Sequence, residues 1–119
     1  GKFLLLFLEV CENNNSWIIP NDFTLEHIIP QKKKDTLDNI ESIHNIGNLI
    51  LLEGKNSNNK HKGNSSLKDK EYKLKKNSYK NSNYKLTREL SEKYDNFNEE
   101  DINKRSTNII NLICKYTKY

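Results

Sequence analysis

The chain has 119 residues, 34% of them apolar and 30% charged, with a formal net charge of +4. A domain of this length has a modest core and buries only about two-thirds of its unfolded surface. No apolar run reaches the ~20 residues of a membrane span. The two cysteines, Cys11 and Cys114, lack the paired spacing of a thiolate zinc site. The expectation is a cytoplasmic chain with reduced cysteines and no membrane partner.

Lys2 to Glu12 is apolar nearly all round, which predicts a buried helix ended by Asn13–Ser16. Phe3–Leu8 has the character of a signal-peptide core, but no small-residue cleavage site follows. An opening directly on this run predicts that the natural protein continues upstream, with this chain its C-terminal part. Trp17-Ile18-Ile19 is a short run stopped by Pro20. Phe23 to Ile29 reads as a strand whose ladder ends at Pro30. A polar loop, Gln31–Asp38, leads to a helical turn or two within Ile40–Ile46. Gly47-Asn48 then feeds a second compact strand, Leu49–Leu52, bounded by Gly54.

Lys55 to Lys76 is rich in Asn, Ser and Gly, which prefer caps and turns, and a helix is expected near Ser65–Lys76. Tyr84–Tyr94 carries Leu86 and Leu90 at helical spacing. The last helix has Asn98 as its cap and Glu99, Glu100 and Asp101 at its positive end. Phe97 and Ile102 stand at staple positions, and Ile102, Ile109, Ile113 and Tyr116 share one face. There is no internal repeat. The whole reads as one domain, 1–119, with a core at about 22–76 and a helical part at about 84–119.

Basic residues concentrate between Lys55 and Arg88, opposed nearby only by Asp69 and Glu71. Such a block suits a polyanion partner, although the chain is Lys- and Asn-rich throughout.

The chemistry centres on Glu26-His27. A carboxylate is a hard oxygen ligand for magnesium, and an imidazole of pKa about 6.5 suits a general base. Phosphodiester hydrolysis needs both a metal on the phosphate oxygens and a base for the attacking water. At a strand end the chain turns, and both side chains can reach one pocket. Downstream, Asn-rich Lys55–Lys60 offers neutral amide oxygens that leave a metal charge for phosphate. A strand ending in Glu-His, then Gly-Asn and a strand, then an Asn-rich helix start, is the order of a ββα-metal hairpin. The expected fold is α+β, with that hairpin packed by N-terminal and C-terminal helices.

The chain resembles the HNH endonuclease superfamily and, more narrowly, the C-terminal nuclease domain of modification-dependent restriction enzymes of the GmrSD kind. Glu26-His27-Ile28-Ile29-Pro30, Ile46-Gly47-Asn48-Leu49-Ile50-Leu51-Leu52, Asn59-x4-Asn64-x5-Lys70 and Ile102-Asn103-Lys104-Arg105 carry the resemblance. It implies that His27 is the general base, Glu26 a metal ligand, and Asn48 a brace for the loop that orients His27. A further Asn is the second ligand: spacing back from Asn64 and Lys70 selects Asn59, while counting forward from Asn48 selects Asn56. The resemblance also implies magnesium, with manganese able to substitute, 5′-phosphate products, a role in restriction or anti-phage defence, and an upstream nucleotide-dependent domain. DNA is the expected partner. Lys60, Asn64, Lys70 and Arg105 are candidate nucleic-acid contacts, Arg105 having an ion pair with Asp101 as its competing use. His44 and His61 could be ligands, although exposed or structural histidines are commoner. Tyr72, Tyr79 and Tyr84 could stack on bases, with packing over a thin core the commoner use. The alternative function is a non-catalytic nucleic-acid-binding module that keeps the hairpin.

Overall fold

The computed structural model describes residues 2–13, 23–53 and 70–118. Among them the elements run α1 (Lys2–Glu12), β1 (Phe23–His27), short 3-10 helices at Gln31–Thr36, Ile40–His44 and Ile46–Asn48, β2 (Leu49–Glu53), α2 (Tyr72–Lys80), α3 (Lys85–Lys93) and α4 (Glu99–Thr117). The fold is α+β. Trp17–Ile19 and the Asn-rich run after Gly54 lie outside the described residues.

β1 and β2 form a two-stranded antiparallel sheet, with Phe23 opposite Glu53 and His27 opposite Leu49. Alternation sends successive side chains to opposite faces. Leu25, Leu49 and Leu51 pack on one face with Leu5, Leu6 and Leu8 of α1, Tyr84 and Leu86, and Ile109 of α4. Ile28, Ile50 and Leu52 pack on the other with Tyr72 and Tyr79 of α2 and Leu90 of α3. β2 is therefore buried along its whole length, which explains its unbroken apolar sequence. The hairpin is the middle layer, with helices on both sides.

The ladder closes where Ile28 donates its N–H to the Asn48 carbonyl at 2.8 Å, so β1 stops two residues short of the expected Ile29. The helix expected near Ser65–Lys76 is found as α2. It begins at Tyr72, after Glu71, and continues to Lys80; residues 65–69 lie outside the described residues.

α1 differs from its expectation. Leu5, Leu6 and Leu8 are buried, but Phe3 is 74% exposed and Leu4 and Phe7 face outward too. One stripe of an 11-residue helix is all that this thin core can cover. The polar residue of the run, Glu9, is buried. Its carboxylate accepts the backbone N–H groups of Lys85 and Leu86, both at 2.8 Å. These are orphan donors at the start of α3, whose own cap residue, Tyr84, supplies no side-chain bond. α1 thus caps a helix more than 70 residues away in sequence.

α4 follows its sequence closely. Asn98 accepts from the Asp101 N–H while Asp101 accepts from the Asn98 N–H, a reciprocal capping box. Glu99 reaches back to accept from the N–H groups of Asp38 and Asn39 and from the Ser42 hydroxyl. That contact ties the start of α4 to the turns leading into β2.

Candidate active site

Two successive 3-10 turns deliver the chain into β2, each begun by an asparagine. The Asn39 side chain accepts from the Glu41 N–H, and that of Asn45 from the Gly47 N–H. α4 lies against the second turn so closely that a Cβ on Gly47 would stand 2.0 Å from the Ile102 carbonyl oxygen. Only glycine fits there. Arg105, one turn further along α4, donates from Nη1 to the carbonyls of Gly47 at 3.0 Å and Leu49 at 2.7 Å. Burial pushes its pKa down to about 10. The Ile102-x-x-Arg105 pattern and the Ile46-Gly47-Asn48 box are two halves of one contact.

That contact fixes Asn48, which is fully buried. Its carboxamide oxygen accepts the Ile29 N–H at 2.8 Å, and its Nδ2 donates to the carbonyls of Ile29 at 3.1 Å and Ile43 at 2.9 Å. Asn48 therefore pins the segment immediately after His27. A buried amide with its bonds satisfied holds geometry well, because losing any partner leaves an unpaired polar group.

His27 is half-buried at the end of β1. Its ring meets that of His44 edge-on, with centroids 5.5 Å apart. Among the described residues its buried Nε2 has no hydrogen-bond partner. Burial, then His44, then Lys75 lower its pKa from the ordinary histidine value, which favours the neutral ring. A neutral imidazole with an unused nitrogen can accept a proton.

Glu26 leaves the opposite face of β1. It is 2% exposed and lies against α2. Tyr79 donates its hydroxyl to Oε2 at 3.3 Å, and the Lys75 ammonium stands 3.8 Å from Oε1. Oε1 itself is buried without a hydrogen-bond partner among the described residues. Burial raises the Glu26 pKa to about 7, against the opposing pull of Lys75 and Tyr79. Lys75 has no exposed surface and donates to the His27 backbone carbonyl at 2.8 Å. One ammonium thus touches both halves of the Glu26-His27 pair, while the two side chains point apart.

The donor chemistry fits a hard divalent cation. Glu26 offers a buried carboxylate oxygen with lone pairs to spare, the hard donor that such an ion takes, against the competing charge of Lys75. Among the described residues no group of three or more His, Cys, Asp and Glu side chains gathers to hold a metal.

The chain matches the family model of the C-terminal domain of GmrSD restriction endonucleases over residues 2–112. It belongs to that family. No curated protein and no solved structure matches it. The match runs from α1 into α4, so the Glu26-His27 strand, the Gly47-Asn48 turn and Arg105 all lie within the GmrSD C-terminal domain. Membership points to a nuclease-related function. Among the described residues no helix is long and apolar enough to cross a membrane.

Within this GmrSD C-terminal domain, His27 and Asn48 lie together at the exit of β1, and Glu26 lies behind them. Lys70 is exposed. Arg105 is 6% exposed and engaged with backbone carbonyls; this burial replaces the phosphate contact expected from sequence, and no ion pair to Asp101 takes its place among the described residues. Tyr72, Tyr79 and Tyr84 are core residues, not a stacking surface. Asn56, Asn59, Lys60, His61 and Asn64 lie outside the described residues. Sequence reasoning missed Lys75, which it counted within a basic block. The signal was there in the spacing: Tyr72, Lys75 and Tyr79 share one helical face, and its two tyrosines are buried. His44 is exposed, as the commoner of its two expected uses has it, and its ring stands edge-on to that of His27.

Proposed function

We propose that this domain is a metal-dependent HNH endonuclease that hydrolyses DNA phosphodiester bonds in restriction or anti-phage defence. The observation that carries this reading is His27: an imidazole whose Nε2 has no hydrogen-bond partner among the described residues, on a strand end pinned by the buried Asn48. His27 takes a proton from the attacking water. The new P–O bond forms as the bond to the 3′ oxygen breaks, and that oxygen takes a proton from solvent, leaving 5′-phosphate and 3′-hydroxyl ends. Glu26 would hold the divalent ion together with Asn59, or with Asn56 in its place. Magnesium, or manganese in its stead, would neutralise the charge that builds on the phosphate. The hairpin of β1 and β2 followed by the Asn-bearing segment is, in this reading, the ββα-metal unit. Asn48 is a positioning residue that keeps the His27 loop in register. Arg105 acts the same way one layer further out. Lys70, with Lys60 and Asn64, contacts the DNA backbone, and an upstream nucleotide-dependent domain delivers the DNA.

A plasmid-nicking assay with magnesium or manganese tests this. Wild-type protein is expected to nick, and His27→Ala to lose about 10²–10⁴-fold in rate. Nicking by His27→Ala at the wild-type rate would overturn the assignment. One observation favours a second reading, in which the domain binds nucleic acid without turnover: Glu26 is buried and already paired with Lys75. DNA binding would then survive chelation and Glu26→Ala, with affinity falling steeply in salt.

A further inference from the structure

We propose that Lys75 is the resident counter-ion of Glu26 and gives way when a divalent cation takes that carboxylate, so that Lys75 sets the metal affinity of the site. The inference rests on the reading of Glu26 as a metal ligand. Lysine is almost never fully buried unless paired, yet Lys75 has no exposed surface and Glu26 is 2% exposed. The two are arranged unequally. Lys75 is anchored by a 2.8 Å hydrogen bond to the His27 carbonyl. Its 3.8 Å approach to Oε1 is longer than a charge-assisted hydrogen bond. The ammonium therefore keeps its place without Glu26, and Oε1 keeps its lone pairs.

Once ionised, a buried carboxylate needs a positive partner, and in the metal-free protein that partner is Lys75. A cation on Oε1 satisfies the same need and sets two positive charges close together in a poorly screened interior. The two partners then compete. Lys75 competes with the ion for Glu26 and, from the same nitrogen, holds the backbone of His27. A simple fastener of α2 to β1 has different consequences. Removing its charge would cost stability and leave metal affinity where it was.

Mn²⁺ binding to the 119-residue chain, followed by the EPR signal of free Mn²⁺, separates these. Lys75→Met keeps a comparable apolar stem and removes the charge. It is expected to bind Mn²⁺ at least about fivefold tighter than wild type, the low end for coupled sites, with Lys75→Arg returned toward wild type. Unchanged or weaker binding by Lys75→Met overturns the proposal. Glu26→Gln tests the underlying reading separately: it is expected to weaken Mn²⁺ binding, and no change there removes Glu26 as a ligand whatever Lys75→Met does. Should Lys75→Met fail to fold, the wild-type protein decides. The Lys75 Nζ resonance is expected to shift on Mg²⁺ titration as the ion pair with Glu26 breaks, and a resonance unmoved at saturating Mg²⁺ contradicts the proposal.

Discussion

The two faces of β1 hold adjacent residues by different physics. On the His27 side, the fastening is mainly amides and carbonyls, with one buried guanidinium that stays charged: Asn48 to Ile29 and Ile43, and the 3-10 turn pressed against α4 through Gly47 and Arg105. On the Glu26 side it is buried charge: a carboxylate, an ammonium and a phenol on α2. A neutral clamp ignores pH and ions. A buried charge cluster responds to both. The proposed function asks for a base in fixed register and a carboxylate whose partner can change, and the two faces offer these separately.

The neutral side is the easier to break. Gly47→Ala puts a methyl group into the Ile102 backbone, which cannot swing aside as a side chain could. We expect a loss of roughly 3 kcal/mol or more in urea unfolding, and a near-neutral result would mean that α4 does not lie as described. Asn48→Ala comes next. It strands the Ile29 N–H and leaves the Ile29 and Ile43 carbonyls without their side-chain donor. A loss of about 2–4 kcal/mol is expected, nearly the same at pH 5 and pH 8. A strong pH dependence of that loss would erase the contrast between the faces.

The charged side is sharpened by pH. The folded pKa of Glu26 is raised from 4.5 to about 7, so the folded state holds a proton that the unfolded state has released. Its stabilising contribution is complete below about pH 4.5 and is lost as pH rises through 7. The shift corresponds to roughly 3 kcal/mol at most. In metal-free protein, wild type is expected to lose stability relative to Glu26→Gln between pH 4.5 and 7.5, and parallel curves for the two would refute the burial of this carboxylate. The smallest effect belongs to a residue on neither face. Phe3→Ser, on the exposed side of α1, is expected to change stability by less than about 0.5 kcal/mol. A larger loss would show that α1 is covered where it is described as open.

Most of the neutral side was legible in the sequence, and of the charged side only Glu26 was. Gly47-Asn48 ahead of an apolar strand, and Asn98 ahead of three acids, are local signals whose meaning depends on a few neighbouring residues. Their structures follow, down to the capping box of α4. Lys75 and Glu9 are buried because of partners far away in sequence, and composition sorts both with the surface. Arg105 was misjudged for the same reason: its motif spacing was visible, but its carbonyl partners on a distant turn were not. In α1 the even apolar pattern hid which stripe the thin core could cover.

The central claim concerns His27, and the most direct measurement is the rate of plasmid nicking by wild type and His27→Ala, each with magnesium and with a chelator. Wild type is expected to nick with magnesium, and almost no nicking is expected with the chelator or without the imidazole. Nicking that persists in His27→Ala, or that ignores chelation, would contradict the claim.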